Sequence, residues 1–277
     1  MRLIDGKATA QKLRLDLKEK VKTLKKQPHL VVVLATDHPA SLSYVTAKEK
    51  AAIEVGYKSR ILKGSYTEDE LLNLIDTLNQ DDDVDGILVQ LPLPEGFDAQ
   101  KVIDRIDPTK DVDGFHPHNL AMLVQNRPGF IPATPKGIIR LLNEEKILLK
   151  GQHAVIVGRS LIVGKPLIHL LLKEDMSVTT AHSKSKDLKA LTQQADVLIA
   201  AVGVPNLIKK EMVKPGATII DVGINRVDGK LVGDVDFESV APVVQAMTPV
   251  PGGVGPMTIY ALLENTYEAC LRKEKNV

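Results

Sequence analysis

Residues 154–166 read Ala-Val-Ile-Val-Gly-Arg-Ser-Leu-Ile-Val-Gly-Lys-Pro. Four apolar residues run into a glycine, and a second glycine precedes Lys-Pro. This is the pattern of a strand, a tight turn and a helix start. Gly158 can take the turn, and Gly164 can let helix and strand pack closely. Backbone N–H groups at the helix start can then meet a pyrophosphate. The spacing is not Gly-x-Gly-x-x-Gly, because Ser160 stands where the middle glycine would be. A structural strand-to-helix turn is the alternative at this point.

The next strand, Ser177–Ala181, ends in His182-Ser183-Lys184. An NAD site usually places an acid there, on the ribose 2′-hydroxyl. Hydroxyl and cationic groups, with Arg159 in the turn, suit a 2′-phosphate instead. NADP is therefore preferred, with NAD or a plain solvated basic loop as alternatives. Two further strands, Val197–Ala200 and Thr218–Asp221, leave through A-A-V-G-V-P-N (200–206) and I-D-V-G-I-N (220–225). Gly203 and Gly223 would line the crevice where a nicotinamide lies.

The N-terminal half repeats the alternation. Ala8–Lys26 is an amphipathic helix, Leu30–Ala35 a buried strand, Tyr44–Val55 a helix and Ser59–Leu62 a weaker strand. Glu68–Leu78 is a helix with Thr67 and Glu70 at capping-box spacing. Gly86–Val89 is a buried strand ended by Q-L-P-L-P. Thr134 as N-cap and Pro135 as first residue open a helix to Leu142. Met257–Arg272 is the last helix. Alternating strands and helices favour parallel α/β sheets.

The chain has 277 residues, which suggests two domains or one large one. Hydrophobic residues are 44% and aromatics only 3%, with no Trp, so the core is aliphatic and stacking platforms for nucleic acid are not indicated. The net charge of +1 gives no case for a nucleic-acid or anionic-membrane partner. Cys270 is the single cysteine. No apolar h-region opens the chain and no run approaches a membrane span. A cytoplasmic protein is expected.

Three stretches carry chemistry. In S-L-S-Y-V-T-A-K-E-K (41–50), Lys48 falls on the apolar stripe of Val45, Ala51, Ala52 and Val55, one turn after Tyr44. A lysine there either snorkels to the surface or serves a site. In K-D-V-D-G-F-H (110–116), Asp111 and Asp113 invite either bidentate pairing with a heterocycle or a backbone-bonding turn. A metal bound with His116 and His118 is not expected, for want of ligand spacing. T-P-V-P-G-G-V-G-P-M-T (248–258) is a rigid loop of small residues that a flat ligand could approach closely.

Together these segments resemble the bifunctional methylenetetrahydrofolate dehydrogenase/cyclohydrolase family. The matches are S-L-S-Y-V-T-A-K-E-K-A-A, D-G-I-L-V-Q-L-P-L-P, K-D-V-D-G-F-H-P, T-P-K-G, V-G-R-S-L-I-V-G-K-P, D-V-G-I-N, G-D-V-D-F and P-V-P-G-G-V-G-P-M-T, in family order along nearly the whole chain. The resemblance implies two α/β domains around a cleft, the second a Rossmann-like parallel-sheet NAD(P)-binding domain. The expected boundaries are 1–119 plus 255–277 for the folate-binding catalytic domain and 120–254 for the other. It also implies tetrahydrofolate derivatives as substrates, NADP as coenzyme and a homodimer. The family oxidises 5,10-methylenetetrahydrofolate to the methenyl form, then hydrolyses that to 10-formyltetrahydrofolate.

Carried over by motif, Lys48, Tyr44, Gln90 and Asp113 are the catalytic residues. Ser41, Tyr44, Leu91, Pro92, Asp113, Pro251, Gly252 and Gly253 would bind substrate. Thr134, Gly158, Arg159, Ser160, Gly164, Ser183, Gly203, Gly223 and Ile224 would bind coenzyme. Ala133 and Ala181 stand where many members have Cys, and neither change removes a catalytic group. The rival readings are a monofunctional member and a non-catalytic dinucleotide-binding protein; a different oxidoreductase acting on a small hydroxy acid would need a His–carboxylate pair, and His182 and His169 show no such partner in the sequence. The non-catalytic reading predicts erosion at Lys48, Gln90 or Asp113, and none is seen.

Overall fold

The structure, a computed structural model, describes residues 1–36 and 38–275. Its strands in chain order are β1 (Arg2–Leu3), β2 (His29–Leu34), β3 (Lys58–Lys63), β4 (Gly86–Val89), β5 (His153–Val157), β6 (Ser177–Ala181), β7 (Val197–Ala200), β8 (Thr218–Asp221), β9 (Asn225–Val227), β10 (Lys230–Val232) and β11 (Ala246–Met247). The helices are α1 (Gly6–Val21), α2 (Pro39–Glu54), α3 (Glu68–Gln80), α4 (Ala99–Arg105), α5 (Pro117–Val124), α6 (Ala133–Glu144), α7 (Gly164–Lys173), α8 (Leu188–Thr192), α9 (Phe237–Val240) and α10 (Val254–Lys275).

The chain divides into two compact units: Lys12–Ala133 with Ile259–Val277, and Met1–Gln11 with Thr134–Thr258. The first holds a parallel three-stranded sheet in the order β3-β2-β4. Every residue of β2 and β4 is buried, as expected of parallel strands covered on both faces. Val31, Val33, Ile87 and Val89 pack with Leu71, Ile75 and Leu78 of α3 and Val102 of α4. The α3 capping box forms as expected, Thr67 and Glu70 satisfying each other's backbone N–H groups.

The second unit holds six strands in the order β1-β11-β8-β7-β5-β6, every pair parallel. Counting from β5, the strands run second, first, third, fourth, fifth. This is a doubly wound Rossmann-like sheet whose winding reverses between β5 and β7. Ligands of such sheets lie outside the carboxyl ends of the strands at that reversal. Val155, Leu198, Ile219 and Met247 belong to its buried core.

The units differ from the sequence expectation at three places, the last being that residues 255–258 fall in the six-stranded unit. Residues 1–11 join the six-stranded unit because β1 pairs with β11 and Lys7 N–H donates to Gly252 O at 2.9 Å. Residues 120–133 stay with the three-stranded unit because Asn119 accepts from Phe130 N–H at 3.1 Å and Asn265 Nδ2 donates to Ile131 O at 2.9 Å. The helix expected from Thr134 begins at Ala133 instead. The Thr134 hydroxyl meets Thr258 Oγ1 at 3.0 Å rather than capping the helix.

Candidate active site

Helix α2 buries Ser41, Val45, Lys48, Ala51 and Ala52, so the stripe read from the sequence is the packed face. Lys48 is 5% exposed and Lys50 is exposed. Lys48 therefore does not snorkel. Its Nζ donates to Gln90 Oε1 at 3.0 Å and lies 5.7 Å from the Tyr44 ring centroid. Burial pulls its pKa down, and the charge of Asp113 works in the other direction. A buried cation whose hydrogen-bond partner is a neutral amide is costly, and the cost falls if the amine gives up its proton.

Gln90 follows β4 directly. Its N–H donates to Val33 O at 2.9 Å and its Nε2 donates to Leu91 O at 2.6 Å. The second bond fixes the amide so that its oxygen faces Lys48. Leu91–Pro92 is a cis peptide.

Asp113 comes from a segment laid along the edge of β4. Ile87 N–H donates to Lys110 O at 2.8 Å, and residue 86 must be glycine because a Cβ there would stand 2.7 Å from Val112 Cγ1. Three further residues hold this segment. Lys110 Nζ donates to the carbonyls of Leu78, Asn79 and Asp81 at 2.9, 2.7 and 2.7 Å, on the open C-terminal carbonyls of α3. Asp111 accepts from Gly114 N–H at 3.1 Å, His116 N–H at 2.8 Å and Asn119 Nδ2 at 2.9 Å. Asp111 thus builds the turn, the alternative left open above. His116 Nδ1 accepts from His118 N–H at 3.0 Å and so caps α5.

Burial raises the Asp113 carboxyl to about 6; Lys48 pulls it down and Asp111 pushes it up. The folded protein therefore keeps a proton on Asp113 between roughly pH 4 and 6 that the unfolded chain has released. That contribution to stability is present below the unfolded value and is lost as pH rises through about 6. Asp113→Asn should accordingly gain stability relative to wild type from pH 4 to 7, read as urea midpoints at each pH. Parallel curves for the two proteins would contradict the assignment.

In the six-stranded unit, Gly158 has φ +130° and a Cβ there would stand 2.3 Å from Ala201 O. A Cβ on Gly164 would stand 2.4 Å from Gly158 O. Both glycines are thus required by the close passage of β5, β7 and α7. Ser160 Oγ accepts from Val163 and Gly164 N–H groups at 3.2 and 3.4 Å, at the start of α7. Arg159, Ser183 and Lys184 are exposed. The nearest acid after β6 is Asp187, and its Oδ1 accepts from Ala190 N–H at 2.9 Å as the cap of α8. Gly203 (φ +68°), Gly223 and the half-exposed Ile224 lie beyond β7 and β8. Pro251, Gly252 and Gly253 also belong to this unit, next to α1.

Tyr44, Lys48, Gln90 and Asp113 thus gather within the three-stranded unit, with Ser41 buried on the same helix face. The sequence reading missed the supporting roles of Lys110 and Asn119, and gave none to Asp221, Asn225 or Asp234. The signal available for the last three was their place in the quoted D-V-G-I-N and G-D-V-D-F segments.

A doubly wound sheet with a glycine turn at its winding reversal, joined to an α/β unit that buries a lysine, defines a two-unit α/β dinucleotide-binding enzyme. Comparison with known proteins makes the class specific. Residues 4–113 match the family model described as tetrahydrofolate dehydrogenase/cyclohydrolase, catalytic domain, and residues 132–274 match its NAD(P)-binding domain. The chain belongs to the tetrahydrofolate dehydrogenase/cyclohydrolase family.

It is 56% identical over 272 residues to the bifunctional protein FolD of Exiguobacterium sibiricum, covering 96% of this chain and 98% of that one. The solved structure of the bifunctional FolD methylenetetrahydrofolate dehydrogenase/cyclohydrolase from Campylobacter jejuni superposes with a TM-score of 0.96 at 48% identity, over 99% of both chains. That of the Trypanosoma brucei enzyme, complexed with NADP cofactor and inhibitor, gives 0.94 at 33% identity, over 99% of this chain and 98% of that one.

Proposed function

We propose that the chain oxidises 5,10-methylenetetrahydrofolate with NADP and hydrolyses the methenyl product to 10-formyltetrahydrofolate. The observation that carries this reading is Lys48, buried on an apolar helix face with a neutral glutamine as its hydrogen-bond partner. The hydrolytic substrate is a cation, which a permanently charged ammonium would repel. Burial makes the neutral amine accessible.

In this reading, neutral Lys48 accepts a proton from water as the water oxygen bonds to the methenyl carbon. The resulting ammonium protonates N5 as the carbon–N5 bond breaks, and the hydroxyl proton leaves to solvent. One proton is released net. Gln90, fixed by Leu91 O, orients the amine and the water. Tyr44 offers a flat face to the pterin or aminobenzoate ring, and Asp113 pairs with the pterin N–H donors.

The residues of the six-stranded unit suit NADP. Gly158 and Gly164 let β5, β7 and α7 pass closely at the turn, and the exposed Arg159, Ser183 and Lys184 supply cationic and hydroxyl groups that suit a 2′-phosphate. Bound there, NADP supplies the hydride acceptor. The protein's part in that step is orientation of the reacting carbon, with no strong base demanded. Ser160, whose hydroxyl tethers the start of α7, and the half-exposed Ile224 are read as coenzyme contacts. Thr134, whose hydroxyl is taken by Thr258, has the least support among them.

A homodimer and a cytoplasmic location complete the reading. The first is supported by family membership and checked by light scattering. The second is supported by the single buried cysteine, and no helix among the described residues is long and apolar enough to cross a membrane.

A two-wavelength assay tests the whole. Wild-type protein with methylenetetrahydrofolate should give reduced nicotinamide with NADP in preference to NAD, followed by methenyl decay at the second wavelength. Absence of coenzyme reduction would remove the dehydrogenase reading; persistent methenyl product would leave a monofunctional enzyme.

A further inference from the structure

Two buried carboxylates of the six-stranded unit have no part in the chemistry above. Asp221, at the end of β8, is 2% exposed, and Asp234 is fully buried. Their acceptors are engaged by six neutral donors. Asp221 Oδ1 accepts from Gly223 and Asp234 N–H groups at 3.1 and 2.9 Å, and its Oδ2 from Val235 N–H at 3.0 Å. Asp234 Oδ2 accepts from Val202 and Gly203 N–H groups at 2.7 and 3.0 Å, and its Oδ1 from Asn225 Nδ2 at 2.9 Å.

Two glycines make room for the pair. A Cβ on Gly223 would stand 2.2 Å from Asp234 Oδ1, and one on Gly233 1.8 Å from Asp221 Oδ2. Burial raises the Asp221 carboxyl to about 6, with the Asp234 charge pushing the same way. Buried carboxylates balanced only by N–H groups are a poor way to stabilise a fold. Apolar side chains would spare the desolvated charge but leave these N–H donors buried without acceptors. What the pair does that an apolar cluster could not is hold backbone N–H groups at fixed points.

Those points are specific. Val202 and Gly203 begin the loop after β7, one of the two strands flanking the winding reversal, and Asn225 opens β9 where the β8 exit loop ends, beside the half-exposed Ile224. We propose that Asp234 is a positioning residue of the coenzyme site, tying the loop after β7 to the loop after β8 and fixing the backbone that receives the nicotinamide end. Asp221 in turn fixes Asp234 through its N–H. The proposal rests on the reading of this unit as the NADP-binding one. Asn at 234 can keep the tie: its oxygen takes the Val202 and Gly203 donors, and its amide nitrogen donates to Asn225 once that side chain turns over.

The test uses the full-length chain without coenzyme and with NADPH. In wild type, the Val202 and Gly203 amides should already be protected from hydrogen exchange before coenzyme is added. In Asp234→Ala they should exchange about tenfold faster or more, and the dissociation constant for NADPH, read by fluorescence, should rise by a similar factor. Hydrolysis of methenyltetrahydrofolate should change little. Asp234→Asn should restore coenzyme binding and protection.

Unprotected amides in the wild type overturn the proposal, and this arm stands even if the alanine variant does not fold. So do unchanged NADPH binding in the alanine variant, parallel loss of coenzyme binding and hydrolysis, and failure of Asn to restore either. A wild-type protein that binds no NADPH overturns the coenzyme reading itself, and this proposal with it.

Discussion

Lys48→Met is expected to cut hydrolysis of the methenyl compound by about 10²–10⁴-fold, the usual range for loss of a positioned acid–base group. Hydride transfer should survive within a small factor, because it depends on orientation. Methionine follows the same apolar path along α2 without a charge to bury, so folding is kept. Gln90 is left without its partner, a modest cost at a half-buried position. Lys48→Arg separates the two ways in which the lysine could act. Guanidinium keeps the charge and cannot give up its proton. If Lys48 works as a neutral amine, arginine is as damaging as methionine. If it works only as a charge, arginine rescues. Unchanged methenyl decay in Lys48→Met would remove Lys48 from the hydrolytic step altogether.

Gly158→Ala is the second large effect. Two penalties fall on one methyl group. The φ of +130° lies where residues with a Cβ rarely go, at a cost of about 1–3 kcal/mol. The contact of 2.3 Å with Ala201 O has backbone on both sides, so relief requires β5 or β7 to shift, at about 1–3 kcal/mol more. A loss of roughly 2–6 kcal/mol is expected in the six-stranded unit. NADP binding should be lost with it, since the turn presents the N–H groups of α7. Gly151→Ala is the contrast without a steric contact: φ is +76° there, close to the milder left-handed region, with nothing within 4 Å of the new Cβ. Calorimetry of both variants, with NADPH titration, reads the difference. A loss in Gly158→Ala no larger than that in Gly151→Ala would show that neither the close packing nor the extreme φ at residue 158 matters.

The elements legible in the sequence were those with a pattern long enough to see. The buried strands β2, β4, β5, β7 and β8 announce themselves as apolar runs, and α3 as a capped amphipathic segment. The two-residue strands β1 and β11 have no periodicity to read, and only the partner strand makes them strands. The β9–β10 hairpin did carry a signal, Asp228-Gly229 at its turn, in a segment with no apolar alternation beside it. Helix α1 ends at Val21 rather than Lys26, since the residues before Pro28 turn away although Leu24 continues the stripe. Lys48 was visible because it broke a helical pattern. Lys110, Asn119 and Asp234 broke none: Lys110 and Asp234 sit in loops and Asn119 in the first turn of the short helix α5, where polar residues are ordinary. Their importance comes from burial, and burial at such positions is set by the elements packed over them rather than by the local pattern.

Each unit is closed by a segment from the other end of the chain. The six-stranded sheet cannot pair its β1 edge until residues 246–247 exist, and the three-stranded unit lacks the Tyr57 hydroxyl's acceptor, Leu263 O, until α10 is made. Asn265 reaches Val112 O from the same helix. A nascent chain threading from the ribosome therefore carries two unfinished cores for most of its synthesis, their sealing contacts arriving together near the end of translation. The apolar edges left open in the interval are the protein's longest exposure to misassociation, and α10 is the element that ends it.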